Sequence, residues 1–259
     1  MVKPTDPEAA HPPDDPFEAH SHREPRSRAA VRVVVLDRGG AAPAQAEAVG
    51  AGLIALLKGH HRKADLRIVS VRDCGGIGPA IEQAAADCDS PLVLVTTASE
   101  PWTEAHLRPL LEAIDKCDHV LGRRPGHRWR QWLATLRWRI VFAVPVRDVH
   151  SPCRLHRREA LAAIPLQSAS SFAEVELLAK ATFLGQLIDE VSVPPLAAPP
   201  PRIDPADVQR VFRHPCFRRD SAPPKQAQGE EKRDDRPDRQ DDQRGRDLGE
   251  AGAFQDHTS

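Results

Sequence analysis

The residues able to do chemistry in this chain stand behind short apolar runs. Leu92-Val93-Leu94-Val95 leads into Thr97, Ala98, Ser99 and Glu100. It reads as a buried strand opening into a loop, and in open α/β sheets ligands sit at the carboxyl ends of such strands. A hard divalent cation there would want anionic oxygens. Thr97 and Ser99 offer neutral hydroxyls, and Glu100 would point elsewhere on an extended chain. Local turn formation is the simpler account of the hydroxyls. A second candidate is the run Cys74-Gly75-Gly76-Ile77-Gly78. Gly76 and Gly78 follow a strand and precede a helix, so a phosphate could approach the helix N-terminus. The run is not the full dinucleotide fingerprint, and a plain tight turn is the alternative. Arg123 and Arg124 follow another strand, and Arg154, Arg157 and Arg158 lie in a later loop; guanidinium forks match phosphate oxygens. His150 and His156 have no third ligand at metal spacing and read as polar loop residues.

These groups need a scaffold, and the pattern supplies one. Strands are expected at 31–37, 65–71, 91–97 and 119–122, each a short apolar or β-branched run. Helices are expected between them at 43–59, 78–88 and 104–116, the last begun by Thr103 and interrupted by Pro109. Alternating strands and helices with short loops indicate a mostly parallel, doubly wound sheet. The second half differs. Residues 127–145 form a helix candidate with Trp129, Trp132, Leu133, Leu136 and Ile140 at helical spacing and arginines around them. That pattern suits a membrane interface or, equally, a core-packing helix with a solvated basic face. A helix at 171–185 starts with a capping box, Ser171 to Glu174, and stops at Gly185. A strand at 186–195 and a short helix at 204–214 complete the series.

The ends are unlike the middle. Residues 1–29 and 218–259 are charged and nearly free of large apolar groups, so neither buries enough surface to offset chain entropy. Both are expected to be disordered, leaving one domain at 30–217. A net charge of −1 gives no field that would drive the chain onto nucleic acid, and no nucleic-acid partner is expected. Five cysteines without a Cys-x-x-Cys pair suggest free thiols in a reducing compartment. No apolar signal region or membrane-spanning run is present, so a cytoplasmic location is expected, with peripheral contact at the inner face of the membrane as an option.

Three stretches together resemble family 2 glycosyltransferases of the dolichyl-phosphate mannosyltransferase type: LVLVTTASEPWTEAHLRPLLEAIDKCDHVLGRRP, VRDVHSPCRLHRREALAAI and FAEVELLAKATFLGQLIDEVSVPP. The resemblance covers about residues 66–195 and implies a Rossmann-like GT-A fold. It implies transfer of a sugar from a nucleotide sugar to a polyprenyl phosphate. Asp148 matches the family's loop aspartate, near acceptor or sugar, with a turn or cap as its structural alternative. Arg154 matches the arginine of Gly-Phe-Arg, facing a phosphate or pairing with Asp148. Glu176 matches the helix glutamate, with an i,i+4 pair to Lys180 as its alternative. Gly76, Gly78, Thr97, Ser99, Arg123 and Arg124 are the expected nucleotide-contacting positions.

The departures from the family pattern are specific. The metal-holding Asp-x-Asp aligns with Thr97-Ala98-Ser99, and Gly-Phe with Pro152-Cys153. The first strand ends Leu-Asp-Arg-Gly-Gly, and no Asp-Asp-Gly-Ser motif follows. No cofactor is therefore expected, and Mg²⁺ or Mn²⁺ only if another acidic ligand replaces the missing pair. Two readings follow: a transferase of reduced or lost activity, with arginines compensating phosphate charge, or a non-catalytic scaffold on the same fold.

Overall fold

The β-branched residues of β1 (Val31–Asp37) place this strand at the middle of one half of a six-stranded sheet. The computed structural model describes residues 29–39, 43–97, 99–125 and 129–217, with backbone only at 129–135. After β1 come α1 (Pro43–Gly59), β2 (Ala64–Ser70), α2 (Ile77–Ala86) and β3 (Leu92–Thr96). The chain continues with α3 (Glu104–Ala113), β4 (His119–Arg123), α4 (Trp129–Phe142), β5 (Arg154–Arg157) and α5 (Arg158–Ala162). It closes with α6 (Phe172–Phe183), β6 (Ile188–Ser192) and α7 (Pro205–Arg213). The strand order is β2-β1-β3-β5-β4-β6, with only β5 antiparallel to its neighbours. This is the mostly parallel α/β sheet that the sequence indicates.

Alternation along β1 sends Val31, Val33 and Val35 to one face and Val34 and Leu36 to the other. The first set packs against Leu53 and Leu57 of α1 and Leu107 and Leu110 of α3. The second packs against Ile77 and Ile81 of α2 and Leu177 of α6. Helices α1 and α2 therefore cover opposite faces. The chain leaves β1 toward β2 on one side and returns to β3 on the other. The crevice between the carboxyl ends of β1 and β3 is thus a topological switch point, where such sheets receive ligands.

Strand β5 differs from the sequence reading, which treats Arg154, His156 and Arg157 as loop residues. All four of its residues are buried. A strand this polar survives inside because each group finds a partner. Arg157 donates to the carbonyls of Ile114, Asp115 and Cys117, which terminate α3, at 2.8–3.0 Å. His156 and His119 meet Nδ1 to Nδ1 at 2.8 Å across the β4–β5 pair. Gln186 donates to Ala160 O and so turns its carbonyl oxygen to His119 Nε2. His119 therefore carries its proton on Nε2 and accepts at Nδ1 from His156.

The helix signals are mostly met. Thr103 opens α3, although His106, rather than a glutamate, accepts its backbone N–H at 2.9 Å. Pro109 lies inside α3 without ending it, since Leu107, Leu110 and Leu111 hold both flanks in the core. Helix α6 ends at Gly185 (φ 69°) in a Schellman motif, with Gln186 N bonding Ala181 O and Gly185 N bonding Thr182 O. The expected Ser171–Glu174 capping box is not formed. Ser171 Oγ accepts from Arg202 N at 2.9 Å, and Glu174 is drawn to basic side chains. Trp138 is buried against Phe142 and Phe172, while the other tryptophans of α4, Trp129 and Trp132, have side chains outside the described residues. Of the segments expected to be disordered, 1–29 and 218–259, all but residue 29 also lie outside them. Among the described residues, no helix is long and apolar enough to cross a membrane.

Candidate functional site

The switch-point crevice is a cleft lined by Asp37, Arg38, Gly39, Gln45, Thr97, Ser99 and Pro199, over Val35, Leu36 and Ala46. Its floor follows from the ends of β1 and β3. Gly39 takes a positive φ of 77°, and its N–H reaches back to Asp37 Oδ1 at 2.9 Å, turning the chain sharply after Arg38. Thr96 Oγ1 accepts from Trp102 Nε1 at 3.3 Å, while Gln45 Nε2 donates to Ser99 O. A proline-rich strap, residues 194–203, closes one side. Ser99 N bonds Ala197 O at 3.1 Å, Ala197 N reaches Glu100 Oε2 at 3.4 Å, and Pro199 lines the cleft. At its far end the strap pairs with Ser171 through both backbone groups of Arg202.

Beside the cleft lies a buried charge cluster centred on Glu174, in the first turn of α6. One oxygen of Glu174 meets Arg38 Nη2 at 2.5 Å and Arg154 Nη2 at 2.9 Å. The other meets His150 Nδ1 at 2.5 Å. Burial alone would push this carboxyl up, but Arg154, His150 and Arg38 together hold it well below the usual carboxylate range. Glu174 is ionised, and two guanidinium groups more than offset its charge. Arg154 also donates to Ser151 O at 2.7 Å and Val149 O at 3.1 Å, so it fixes the loop that carries His150. Arg38 Nε is buried without a hydrogen-bond partner among the described residues.

The residues singled out from the sequence fall into separate groups. Asp148 is buried and takes a two-pronged contact from Arg124, Nε to Oδ2 at 2.8 Å and Nη2 to Oδ1 at 3.0 Å. Arg124 also donates to Leu196 O and His150 O, so this pair ties the strap to the loop. Arg154 contacts Glu174 rather than standing as Asp148's partner. Arg123 donates to Ser192 Oγ at 2.8 Å on β6. Glu176 is fully buried and forms the i,i+4 pair with Lys180 at 2.5 Å, while its oxygens accept from Gln167 N and Ser168 N. Thr97 and Ser99 do line the cleft. Gly76 and Gly78 approach the 166–169 loop: Ile77 N bonds Ala169 O at 2.7 Å, and Gly78 N bonds Ser168 O at 3.2 Å. A Cβ on Gly78 would come within 2.3 Å of Ser168 O.

The divalent cation implied by the resemblance finds a poor set of donors here. Asp37 is the one carboxylate lining the cleft among the described residues, and one of its oxygens already accepts from Gly39 N. Glu100 leans to the strap, and Asp148 and Glu174 are neutralised by arginines. No group of three His, Cys, Asp or Glu side chains among the described residues is arranged to hold a metal ion. One carboxylate with two hydroxyls does not replace a carboxylate pair. Among the residues lining the cleft, Arg38 is the cation, beside Asp37.

Sequence reasoning passed over Arg38, Glu174 and His150. Arg38 carried a weak signal, a cation directly after the first strand. Glu174 was assigned to a cap and His150 to a loop, and their meeting depends on contacts across 24 residues of chain.

No family model matches the chain. An uncharacterized glycosyltransferase of Mycobacterium tuberculosis (strain ATCC 25618 / H37Rv) is 30% identical over 170 residues, covering 58% of this chain and 77% of that protein. The uncharacterized glycosyltransferase of Mycobacterium bovis matches with the same figures. Among solved structures, glucosyl-3-phosphoglycerate synthase of Mycobacterium tuberculosis in complex with Mg²⁺ and uridine diphosphate is 15% identical. That likeness covers 78% of this chain and 81% of that one at a TM-score of 0.50, and it concerns the fold. By its relatives and its GT-A architecture, the chain belongs to the glycosyltransferases of the family 2 type.

Proposed function

We propose that this protein takes a nucleoside-diphosphate sugar with its diphosphate in the β1–β3 cleft and transfers the sugar without a carboxylate-held cation, at a reduced rate. The observation that carries this reading is Arg38. It lines the cleft at the switch point, and its guanidinium has an Nε without a partner among the described residues. Transfer develops negative charge on the leaving diphosphate, and a guanidinium can offset part of it. Arg124 and Arg154 are engaged by Asp148 and Glu174, so Arg38 is the guanidinium at this edge placed to meet an anionic donor. The acceptor in this reading is a polyprenyl phosphate, as the resemblance implies. Exposed Ile140 and Val141 between Arg137 and Phe142 on α4 suit shallow contact with an anionic bilayer.

A second reading, a non-catalytic scaffold, is favoured by one observation. Asp148 and Glu176, two of the three residues matched to the family's catalytic positions, are locked in pairs with Arg124 and Lys180. Calorimetry of the full chain against UDP, GDP and their sugars, with and without Mn²⁺, separates the readings. Saturable binding indifferent to Mn²⁺ and weakened about tenfold or more in Arg38→Met is expected. Absence of binding to every nucleotide would leave the scaffold. Binding that needs Mn²⁺ and is lost in Asp37→Asn would overturn the metal-free reading. Liposome flotation unchanged by Ile140→Ser with Val141→Ser would remove the bilayer contact.

A further inference from the structure

We infer that β2 pairs with β2 of a second copy of this chain, antiparallel about Leu66, so that two six-stranded sheets join into one across a two-fold axis. The pairing does not depend on the transferase reading. Strand β2 is an edge of the sheet, held by β1 alone. Val31 N bonds Lys63 O and Val71 N bonds Asp37 O, so the odd-numbered residues of this stretch turn their backbone groups to β1. Ala64, Leu66 and Ile68 therefore aim theirs outward. Among the described residues, no hydrogen bond takes up the outward N–H and C=O groups of Leu66 and Ile68. Their side chains are apolar, yet the two residues are 38% and 40% exposed.

Sheet edges are normally guarded, and the opposite edge shows how. Strand β6 carries Asp189 and Glu190, its outward Glu190 N–H is taken by Asp189 Oδ1 at 2.7 Å, and Pro194 and Pro195 follow it. Strand β2 has no proline, pairs with β1 without a bulge, and holds two exposed aliphatic residues instead.

The charges on β2 choose the occupant and the register. Outward-facing residues meet as hydrogen-bonded pairs, which leaves few ways for this strand to pair with itself. Centred on Asp65 or on Arg67, the register sets like charges face to face. Centred on Ala64, it needs Arg62 N, which already bonds Leu57 O at 3.0 Å; centred on Ile68, it needs Ser70 O, which already accepts from Cys74 N at 3.2 Å. Centred on Leu66, it sets Asp65 opposite Arg67 of the other copy, twice. It also puts Leu66 against Leu66 and Ala64 against Ile68 on the α1 face, where Leu66 packs on Gly50. On the α2 face Asp65 pairs with Arg32 and Arg67 with Asp87 within one copy. The cross pairs would join these into a row of alternating charge. Strands related this way run in opposite directions, so the two β1–β3 clefts lie at opposite ends of the joined sheet and neither covers the other.

Sedimentation velocity of the full chain tests this. Between about 1 and about 100 µM the mass should rise toward twice that of the chain. Leu66→Lys brings two ammonium groups together on the axis and should raise the dimer dissociation constant about tenfold or more. Asp65→Lys and Arg67→Glu should each weaken self-association. Both side chains reach solvent, so these variants leave the core intact. An equimolar mixture of the two restores opposite charges in both cross pairs and should dimerise, a rescue that an unfolded variant could not give. A chain that stays monomeric at about 100 µM would overturn the inference. So would a dimer indifferent to Leu66→Lys, or a mixture of the charge variants that associates no better than either alone.

Discussion

Two carboxylates on α6, only two residues apart, lead opposite lives. Residues 174 and 176 stand about 200° apart around the helix and so face different surroundings. Glu176 looks into a closed region. Its oxygens accept from Gln167 N, Ser168 N and Lys180 Nζ, and the three Lys180 protons go to Pro165 O, Gln167 Oε1 and Glu176 Oε1. The Lys180 ammonium and both Glu176 oxygens are fully engaged, and the loop so fixed presents Ser168 O and Ala169 O to the start of α2. Glu174 looks toward the cleft edge. Its partners include a partly exposed imidazole and a guanidinium whose Nε has no partner among the described residues. A saturated buried ion pair is a fastener, whereas an unsaturated one beside a cleft has capacity left for a ligand.

The largest effect should come from breaking the closed pair. Lys180→Met leaves Glu176 without its counter-ion in the core, and should cost about 3–5 kcal/mol in urea denaturation. A loss under 1 kcal/mol would mean that Glu176 finds water or another cation there.

Acid attacks a second closed pair. Burial pushes both His119 and His156 below the ordinary histidine value, and repulsion between their charged forms and from Arg154 lowers His156 further. Their neutral forms contribute stability that is present above about pH 6.5 and lost as pH falls toward the lowered folded values. Below pH 6.5 the unfolded chain binds protons that the folded one refuses, so stability should fall by up to about 1.4 kcal/mol per pH unit for each histidine. Denaturation curves at pH 7 and pH 5.5 measure this, and superimposable curves would contradict the buried neutral pair.

The open cluster should respond less. Glu174→Gln keeps the shape, and Arg154 retains the carbonyls of Val149 and Ser151. A cost of about 1–3 kcal/mol at pH 7 is expected. The gap to the unaltered protein should close as pH drops below about 4.3, because Glu174's depressed folded value makes its contribution one that acid removes. A gap that persists at pH 3 would locate the cost in packing instead of charge.

The smallest effect concerns the strap. Glu100→Ala removes one 3.4 Å contact to Ala197 N at the surface and should change stability by less than about 0.5 kcal/mol. Amide exchange at Ala197 and Ser99 should nonetheless quicken, and unchanged exchange would mean that the Ser99–Ala197 bond holds the strap by itself.

The architecture was legible where local rules act alone. Val31 to Asp37, Leu92 to Thr96 and the helix at 43–59 follow from β-branched runs, alanine and leucine content and glycine stops, and the structure places them within a residue or two. Thr103 and Gly185 marked helix ends because caps are local geometry. The site was less legible. Arg154-Leu155-His156-Arg157 shows no apolar alternation, so its insertion between β3 and β4 could not be read from the run. The family pattern drew attention to Glu176, yet Glu174 is the carboxylate beside the cleft, since helix phase is fixed only when α6 docks on the sheet.

The sequence by itself determined the order of the strands and helices other than β5 and α5, the absence of a carboxylate pair after β3, and relationship to family 2 glycosyltransferases. Those properties reside in residue type and near-neighbour spacing. Tertiary structure alone decided which charges meet: Arg38 reaches Glu174 across 136 residues, and Arg124 reaches Asp148 across 24. A buried charge is tolerated only beside its complement, so these partnerships were settled by where the folded chain could leave no ion unpaired.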